Sequence, residues 1–194
     1  MFRISEIENY VKALFKAKAY PALVYHNFQH TCAVVKHATE ISSHYQISDE
    51  SLLVLMTAAW FHDTGHLFGE METHEERSVK VLQHFLAGFA VSAEMVQQIV
   101  DCIMSTKMPT QPHTILEKIL CDADSYHLGT KEFLDIDKLV WQEMELRTHT
   151  INTRKTEASI RFLEAHQYYT DYCIELLNDG KRLNLSALKN LADS

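Results

Sequence analysis

The chain has 194 residues, which suits one domain, and contains only 5 glycines and 3 prolines against roughly 23 expected at average usage. This shortage argues against sandwiches, barrels and doubly wound sheets, which need many turns, and favours an all-α protein. The formal net charge of −8 argues against a nucleic-acid partner, because a phosphate backbone needs a basic surface. A phosphorylated substrate would need positive charge from another source.

No segment of the sequence approaches the ~20 apolar residues of a membrane span, so no membrane partner is expected. The first twenty residues carry acidic side chains at helical spacing, where a signal peptide has a plain apolar run. The four cysteines lie far apart without a CxxC pair, which is typical of reduced core thiols in a cytoplasmic protein. These cysteines are Cys32, Cys102, Cys121 and Cys173.

Apolar residues recur at helical spacing along the chain, and capping residues mark several helix starts. In chain order, the predicted helices cover about residues 4–18, 27–45, 48–62, 74–87, 92–103, 114–128, 131–148, 153–168, 170–179 and 184–192. The segment 105–113, which holds two of the three prolines, is the one long loop. We expect a compact helical bundle that forms a single domain over residues 1–194. Its core motifs lie at about 22–130, and C-terminal helices at about 131–192 pack on them.

Two of the predicted helix starts have the pattern of a capping box, in which a threonine and a glutamate each satisfy a free backbone N–H. They are Thr73 with Glu76, and Thr114 with Glu117. Gly129 is expected to end the second of these helices as a C-cap.

The twelve histidines are not evenly distributed. His26 and His30 are one helical turn apart, the adjacent His62 and Asp63 follow an entirely apolar run, and Asp124 ends a later helix. Burying imidazoles and ionised aspartates among apolar neighbours costs several kcal/mol unless something compensates. Beside two neutral histidines, the charge of two aspartates is neutralised by one divalent cation. Such a ligand set is compatible with zinc that keeps open positions, or with octahedral Mn²⁺, Fe²⁺ or Mg²⁺.

Other histidines are expected to be ordinary surface or core residues. They are His37, His44, His84, His149 and His166. The three tyrosines Tyr168, Tyr169 and Tyr172 are expected to form a hydrophobic seam, either within the bundle or in a homodimer interface.

Four ordered segments resemble motifs of the HD superfamily of metal-dependent phosphohydrolases: YHNFQHT, AAWFHDTGH, HEERSVKVL and ILCDADSYHLG. In addition, KRLNLSALKNL is similar to a terminal helix of its small bacterial-type branch of predicted phosphohydrolases. The resemblance covers about residues 22–192 and implies the compact helical bundle of the HD-domain (PDEase-like) type.

The resemblance also implies a ligand set, in which His30, His62, Asp63 and Asp124 hold a divalent ion. The ion would be Mn, Fe, Mg, Zn or Ni, and Asp63 is placed to bridge if a second ion binds. In members that resemble the phosphodiesterases, the position of His26 supplies the general acid, and imidazole titrates in the range that this role needs. The alternative for His26 is a structural role at the helix start.

Two further histidines match positions near the metal in this superfamily. His66 corresponds to a histidine near the metal-bound water, although it could equally be loop surface because glycines surround it. His74 corresponds to a second-metal ligand or a catalytic acid, and its alternative is a solvent-facing residue in the first turn of a helix.

The remaining candidate residues support the site or bind substrate. Asp122 could hydrogen-bond a ligand histidine or be a solvated helix residue. Glu75 and Arg77 could pair with each other or contact the phosphate. Lys107 in the proline-flanked loop is the main candidate for a mobile cation that binds substrate, and solvation is its alternative.

Hydrolysis of a phosphomonoester or phosphodiester, through metal-activated water, is the function that the resemblance implies. The substrate would be a small phosphorylated molecule, a nucleotide or a related metabolite. A cyclic-nucleotide phosphodiesterase is the nearest alternative, but no base clamp of glutamine and aromatic residues can be placed. A di-iron oxygenase would need two more histidines before Asp124, and only His84 and His113 are available. A non-catalytic metal- or nucleotide-binding sensor is the third alternative.

Overall fold

The structure is a computed structural model that describes residues 2–192. Within this range the chain forms nine α-helices, two short 3-10 helices and no strand, which confirms the all-α prediction. The α-helices are α1 (Ile4–Lys18), α2 (Phe28–Ser42), α3 (Asp49–Phe61), α4 (His74–Leu86), α5 (Ala93–Ser105), α6 (Ile115–Asp124), α7 (Phe133–Thr148), α8 (Lys155–Ala165) and α9 (Asp171–Ala192), and the 3-10 helices are Thr64–Phe68 and Tyr126–Gly129. None of these helices combines the length and apolar character that a membrane crossing requires.

Helix α3 is the central helix of the bundle. Its residues from Val54 to Phe61 are consecutively buried, because the helix is apolar on every side and packs against α1, α2, α5 and α6. The helix ends directly before His62 and Asp63, which are themselves 0% and 4% exposed. The central position of α3 therefore places two polar side chains inside the protein.

The start of α2 is fixed by a side-chain cap. The Asn27 side-chain oxygen accepts hydrogen bonds from the backbone N–H groups of Gln29 at 2.9 Å and His30 at 3.1 Å. Such a cap satisfies donors that the first helical turn leaves free. The cap also fixes where α2 begins, and it thereby places His30 in the first turn of the helix.

The two predicted capping boxes do not form as expected. Thr73 has a left-handed backbone (φ 59°) and makes no cap; its hydroxyl instead accepts from the Arg77 guanidinium at 3.0 Å. The Thr114 hydroxyl does cap α6, but the Glu117 carboxylate accepts from the backbone N–H of His113, at 2.7 Å. The capping-box prediction is wrong at Thr73 and half realised at Thr114.

The C-terminal helix is longer than the sequence predicts. The expected break between residues 179 and 184 is absent, and α9 runs unbroken through Gly180. A Cβ atom at Gly180 would lie 1.9 Å from the carbonyl oxygen of Gly129. Gly180 therefore permits close helix packing rather than ending the helix. The C-cap prediction for Gly129 is also wrong, because α6 ends at Asp124 and Gly129 belongs to the following 3-10 helix.

Candidate active site

His30, His62, Asp63 and Asp124 converge where the start of α2 meets the ends of α3 and α6. One possible ligand atom from each residue lies within 4.8 Å of the others. His30 Nε2 is 3.2 Å from Asp63 Oδ2 and 3.1 Å from Asp124 Oδ1, and His62 Nε2 is 3.3 Å from Asp63 Oδ2. We call these four residues the tetrad. Two imidazoles and two carboxylates so arranged can hold a divalent metal ion.

The protonation pattern of the tetrad fits a bound cation. The Nε2 atoms of His30 and His62 are buried and have no hydrogen-bond partner, a state that costs about 1–3 kcal/mol per group when nothing compensates. His62 Nδ1 donates to the carbonyl oxygen of Ala59 at 2.8 Å, which orients Nε2 toward the carboxylates. A cation at this position would satisfy both nitrogens.

The charges of the tetrad also favour a shared positive charge. Burial lowers the pKa of His30, but the nearby carboxylates of Asp124 and Asp63 outweigh burial and raise the pKa to about 9. Burial likewise opposes a raised pKa at His62, yet the two aspartates hold it well above the ordinary value. Burial raises the pKa of Asp63 and Asp124, whereas the histidines lower it more strongly, so both carboxylates are ionised. The tetrad is therefore built to hold protons or a metal ion between its carboxylates.

Three further histidines stack beside the tetrad in a column. The ring of His66 lies between the rings of His26 and His74, with centroid distances of 4.0 Å and 3.9 Å. His74 Nδ1 donates to the carbonyl of Met71 at 2.9 Å, and its Nε2 is 3.5 Å from Asp63 Oδ1. Asp63 thus faces the tetrad with one oxygen and the column with the other. This is the geometry that a bridging carboxylate needs.

His66 is buried and neutral, so its loop-surface alternative is wrong. Its exposed fraction is 1%, and burial, aided by the charges of His26 and other neighbours, holds its pKa far below the ordinary value. The Arg147 guanidinium donates to His66 Nδ1 at 2.7 Å. The ring proton of His66 therefore resides on Nε2, 3.9 Å from Asp63 Oδ1. His74 is likewise not solvent-facing, since its side chain is only 22% exposed.

Helix α7 contributes two residues that sequence reasoning missed. The buried Glu143 carboxylate accepts hydrogen bonds from the backbone N–H groups of Tyr25 and His26 at 2.8 Å and 2.9 Å, and it lies 2.7 Å from His26 Nδ1. Arg147 lies 3.1 Å from Glu143 and also donates to the carbonyl of Gly69 at 2.9 Å. The spacing of four between Glu143 and Arg147 was the one available signal, but solvated helix faces carry the same pattern.

Hydrogen bonding holds Glu143 in its ionised form. Burial raises the pKa of Glu143, but the hydrogen bond and charge of His26, with the backbone N–H groups, outweigh burial and lower the pKa to about 2. Glu143 therefore fixes both the backbone turn and the ring of His26.

The two predicted substrate-binding cations are engaged elsewhere. Arg77 donates to the backbone carbonyls of Gly65 at 3.0 Å and Glu72 at 2.9 Å, and also to that of Glu70. Arg77 therefore holds the loop before α4. It does not pair with Glu75, and its guanidinium is not free to bind a phosphate. Lys107 forms an ion pair with Glu76 at the edge of a pocket beside the tetrad.

The predicted supporting carboxylates differ in outcome. Asp122 binds no ligand histidine, and it accepts instead from the backbone N–H groups of Tyr169 and Thr170 at 2.9 Å and 2.8 Å and from the Thr170 hydroxyl at 2.6 Å. It therefore anchors the segment between α8 and α9. Glu75 does support the site, since its Oε1 atom lies 3.4 Å from His74 Nε2.

Comparison with known proteins identifies the family. The model of the HD domain family matches residues 27–129, more than half of the chain. The chain therefore belongs to the HD-domain family of metal-dependent phosphohydrolases, as its motifs predicted. None of the curated proteins compared with it matches.

Two solved structures share the fold. A predicted HD superfamily hydrolase from an uncultured Thermotogales bacterium is 20% identical with a TM-score of 0.62, and the match covers 97% of this chain and 91% of that chain. YpgQ from Bacillus subtilis, solved in complex with ADP, is 15% identical with a TM-score of 0.65, and the match covers 98% of this chain and 97% of that one. At these identities the likeness shows the fold alone.

Proposed function

We propose that the protein hydrolyses a small phosphomonoester or phosphodiester. The proposal rests chiefly on one observation: Asp124 of the tetrad and a histidine held by a buried carboxylate line the same cavity. The ring of His26 lies 5.8 Å from that of His30, and His26 and Asp124 both line the cavity.

A cation held by the tetrad would supply positive charge for a phosphoryl group in a protein whose net charge is −8. A divalent cation held there would activate water and offset the charge on the phosphoryl oxygens. Two nitrogen and two oxygen ligands favour Mn, Fe, Zn or Ni over Mg, because magnesium prefers an all-oxygen set. Asp63, His66 and His74 lie close enough to form a second group, but Arg147 donates to His66 Nδ1 and leaves the ring proton on Nε2. A second ion at this place would therefore be held by Asp63 and His74.

His26 would act as the general acid. Its Nδ1 atom faces the Glu143 carboxylate, which leaves Nε2 to hold the proton that a departing alkoxide takes up. Glu143 fixes the orientation of the ring, and Arg147 holds both Glu143 and His66 in place. Helix α7 therefore serves to position the proton donor.

The di-iron oxygenase is less well supported. His84 and His113, the two histidines that it would require, belong to none of the metal-binding groups formed by residues 2–192. A cyclic-nucleotide phosphodiesterase stays within the proposed reaction class, and a sensor without turnover would leave the pairing of His26 with Glu143 without a chemical role.

A panel of phosphoesters tests the proposal. Protein loaded in turn with Mn²⁺, Fe²⁺, Zn²⁺ and Ni²⁺ should hydrolyse at least one compound; nucleotides are included because YpgQ was solved with ADP. His62→Ala and Asp63→Ala should abolish turnover, and His26→Asn should lower kcat by about 10²- to 10⁴-fold. The exposed His84 gives the control, since His84→Ala should retain full activity. Absence of hydrolysis with every metal and substrate would contradict the proposal.

A further inference from the structure

A cavity of about 470 Å³ extends from the tetrad between α7 and α8, a size typical of small-molecule sites. Its inner end is formed by Asp124 and by His26, His66 and His74 of the histidine column. A phosphoryl group at the tetrad would therefore have the rest of its molecule inside this cavity.

The far part of the cavity is mainly apolar. Its walls there are built from Phe133, Val140, Trp141, Met144 and Phe162. Aromatic and aliphatic walls favour burial of an apolar group, because such burial removes apolar surface from water.

The same walls carry no positive charge that could hold a second phosphate. Among the described residues that line the cavity there is no lysine or arginine. The far wall instead presents Asp137, whose carboxylate accepts from the Ser159 hydroxyl at 2.7 Å; that hydroxyl accepts in turn from Trp141 Nε1 at 2.8 Å. Burial lowers the pKa of His166 to about 3, which keeps this ring neutral near pH 7.

The neighbouring pocket beside the tetrad does not supply that charge either. Lys107 is the one lysine or arginine among its described lining residues, and it is already paired with Glu76. Glu72 and Glu75 line the same pocket. A chain of phosphates would meet carboxylates on both sides of the tetrad.

We propose that the substrate carries one phosphoryl group esterified to an uncharged, largely apolar alcohol that occupies this cavity, rather than a nucleoside polyphosphate. The inference rests on the proposed phosphoesterase function and narrows its substrate class. The apolar walls favour the alcohol. Further phosphates are disfavoured because the described residues that line the cavity include no lysine or arginine.

A series of phosphate monoesters that differ only in the alcohol tests the inference. From methyl phosphate through phenyl phosphate to 1-naphthyl phosphate, KM should fall by at least tenfold, because each step adds apolar surface to be buried. ATP should have a higher KM than 1-naphthyl phosphate. The reverse order would overturn the inference even if the protein is a phosphoesterase.

Helix α8 offers a matched pair of variants. Ala158 lines the cavity, whereas Ala165 is exposed at the end of the same helix. Ala158→Phe should raise KM for 1-naphthyl phosphate at least tenfold and leave that for methyl phosphate within twofold, and Ala165→Phe should change neither. Ala158→Leu provides a smaller obstruction if the phenylalanine variant does not fold.

Calorimetric binding of 1-naphthol to the metal-free protein separates the inference from the proposed function. Binding should be at least tenfold weaker in Ala158→Phe than in Ala165→Phe. If this is observed while no phosphoester is hydrolysed, the cavity retains its apolar ligand and the proposed function fails. If 1-naphthol binds both variants equally or does not bind the native chain, the inference fails.

Discussion

At His30 and His62, the ring nitrogen that would bind a cation faces two carboxylates from a buried position. His30 has a pKa of about 9 because Asp124 and Asp63 outweigh the effect of burial, so at pH 7 the metal-free ring carries a proton. A metal ion can occupy Nε2 only after that proton leaves. Metal binding and protonation therefore compete at the same atom.

We expect Mn²⁺ binding at pH 7 to release at least one proton for each ion bound. The apparent affinity should rise by about tenfold per pH unit for each proton released, between pH 6 and pH 8. Calorimetric titration in two buffers of different ionisation enthalpy measures the release. His30→Ala should reduce the proton count, and a binding heat independent of buffer would contradict the prediction.

Glu143 links the stability of the fold to acid pH. Its pKa is about 2 in the folded protein, below the ordinary 4.5, because hydrogen bonds from His26 and the backbone outweigh burial. A lowered pKa gives stability that is fully present above about pH 4.5 and is lost as the pH falls through 2. The free energy of unfolding should therefore fall between these values.

Glu143→Gln should remove part of this acid dependence, because the amide still accepts hydrogen bonds but does not titrate. Urea denaturation of the metal-free protein at pH 6 and pH 3 should show a smaller loss in the variant than in the native chain. Glu145→Gln on the same helix is the control, and it should lose as much stability as the native chain. Equal losses in all three proteins would refute the role of Glu143.

At the level of the elements, close packing of α9 on the 3-10 helix Tyr126–Gly129 explains why two helices were predicted where one exists. Gly180 is a weak helix former, so the sequence pattern indicates a break there. The structure continues the helix because the missing side chain lets its backbone approach the carbonyl of Gly129. Tertiary packing overrides local propensity at this position.

Gly180→Ala should destabilise the protein by about 1–3 kcal/mol, although alanine is the better helix former, because its Cβ would meet the Gly129 carbonyl oxygen at 1.9 Å. Gly88 provides the control, since a Cβ there would lie 3.9 Å from its nearest neighbour, the Phe85 carbonyl oxygen. Gly88→Ala should change the free energy of unfolding by less than about 0.5 kcal/mol. Urea denaturation of both variants measures the difference, and a neutral or stabilising Gly180→Ala would contradict the packing.

Helix α7 illustrates what local patterns miss at the same scale. Glu143 is 117 residues from His26 in sequence, and its spacing of four from Arg147 is that of an ordinary surface ion pair. Both side chains are nevertheless buried, at 0% and 5% exposure. Only the placement of α7 across the start of α2 shows that they hold the histidine column.

At the scale of the whole molecule, the sequence by itself determined the helical class, most helix positions, the family and the four residues of the tetrad. It could do so because helical periodicity is local, and because His30, His62, Asp63 and Asp124 lie in short motifs at helix ends. The tertiary structure alone decided the partners of Asp122 and Arg77, the roles of Glu143 and Arg147, and the apolar cavity. These features arise from surfaces of helices distant in sequence, and their burial and charge exist only once the helices have packed.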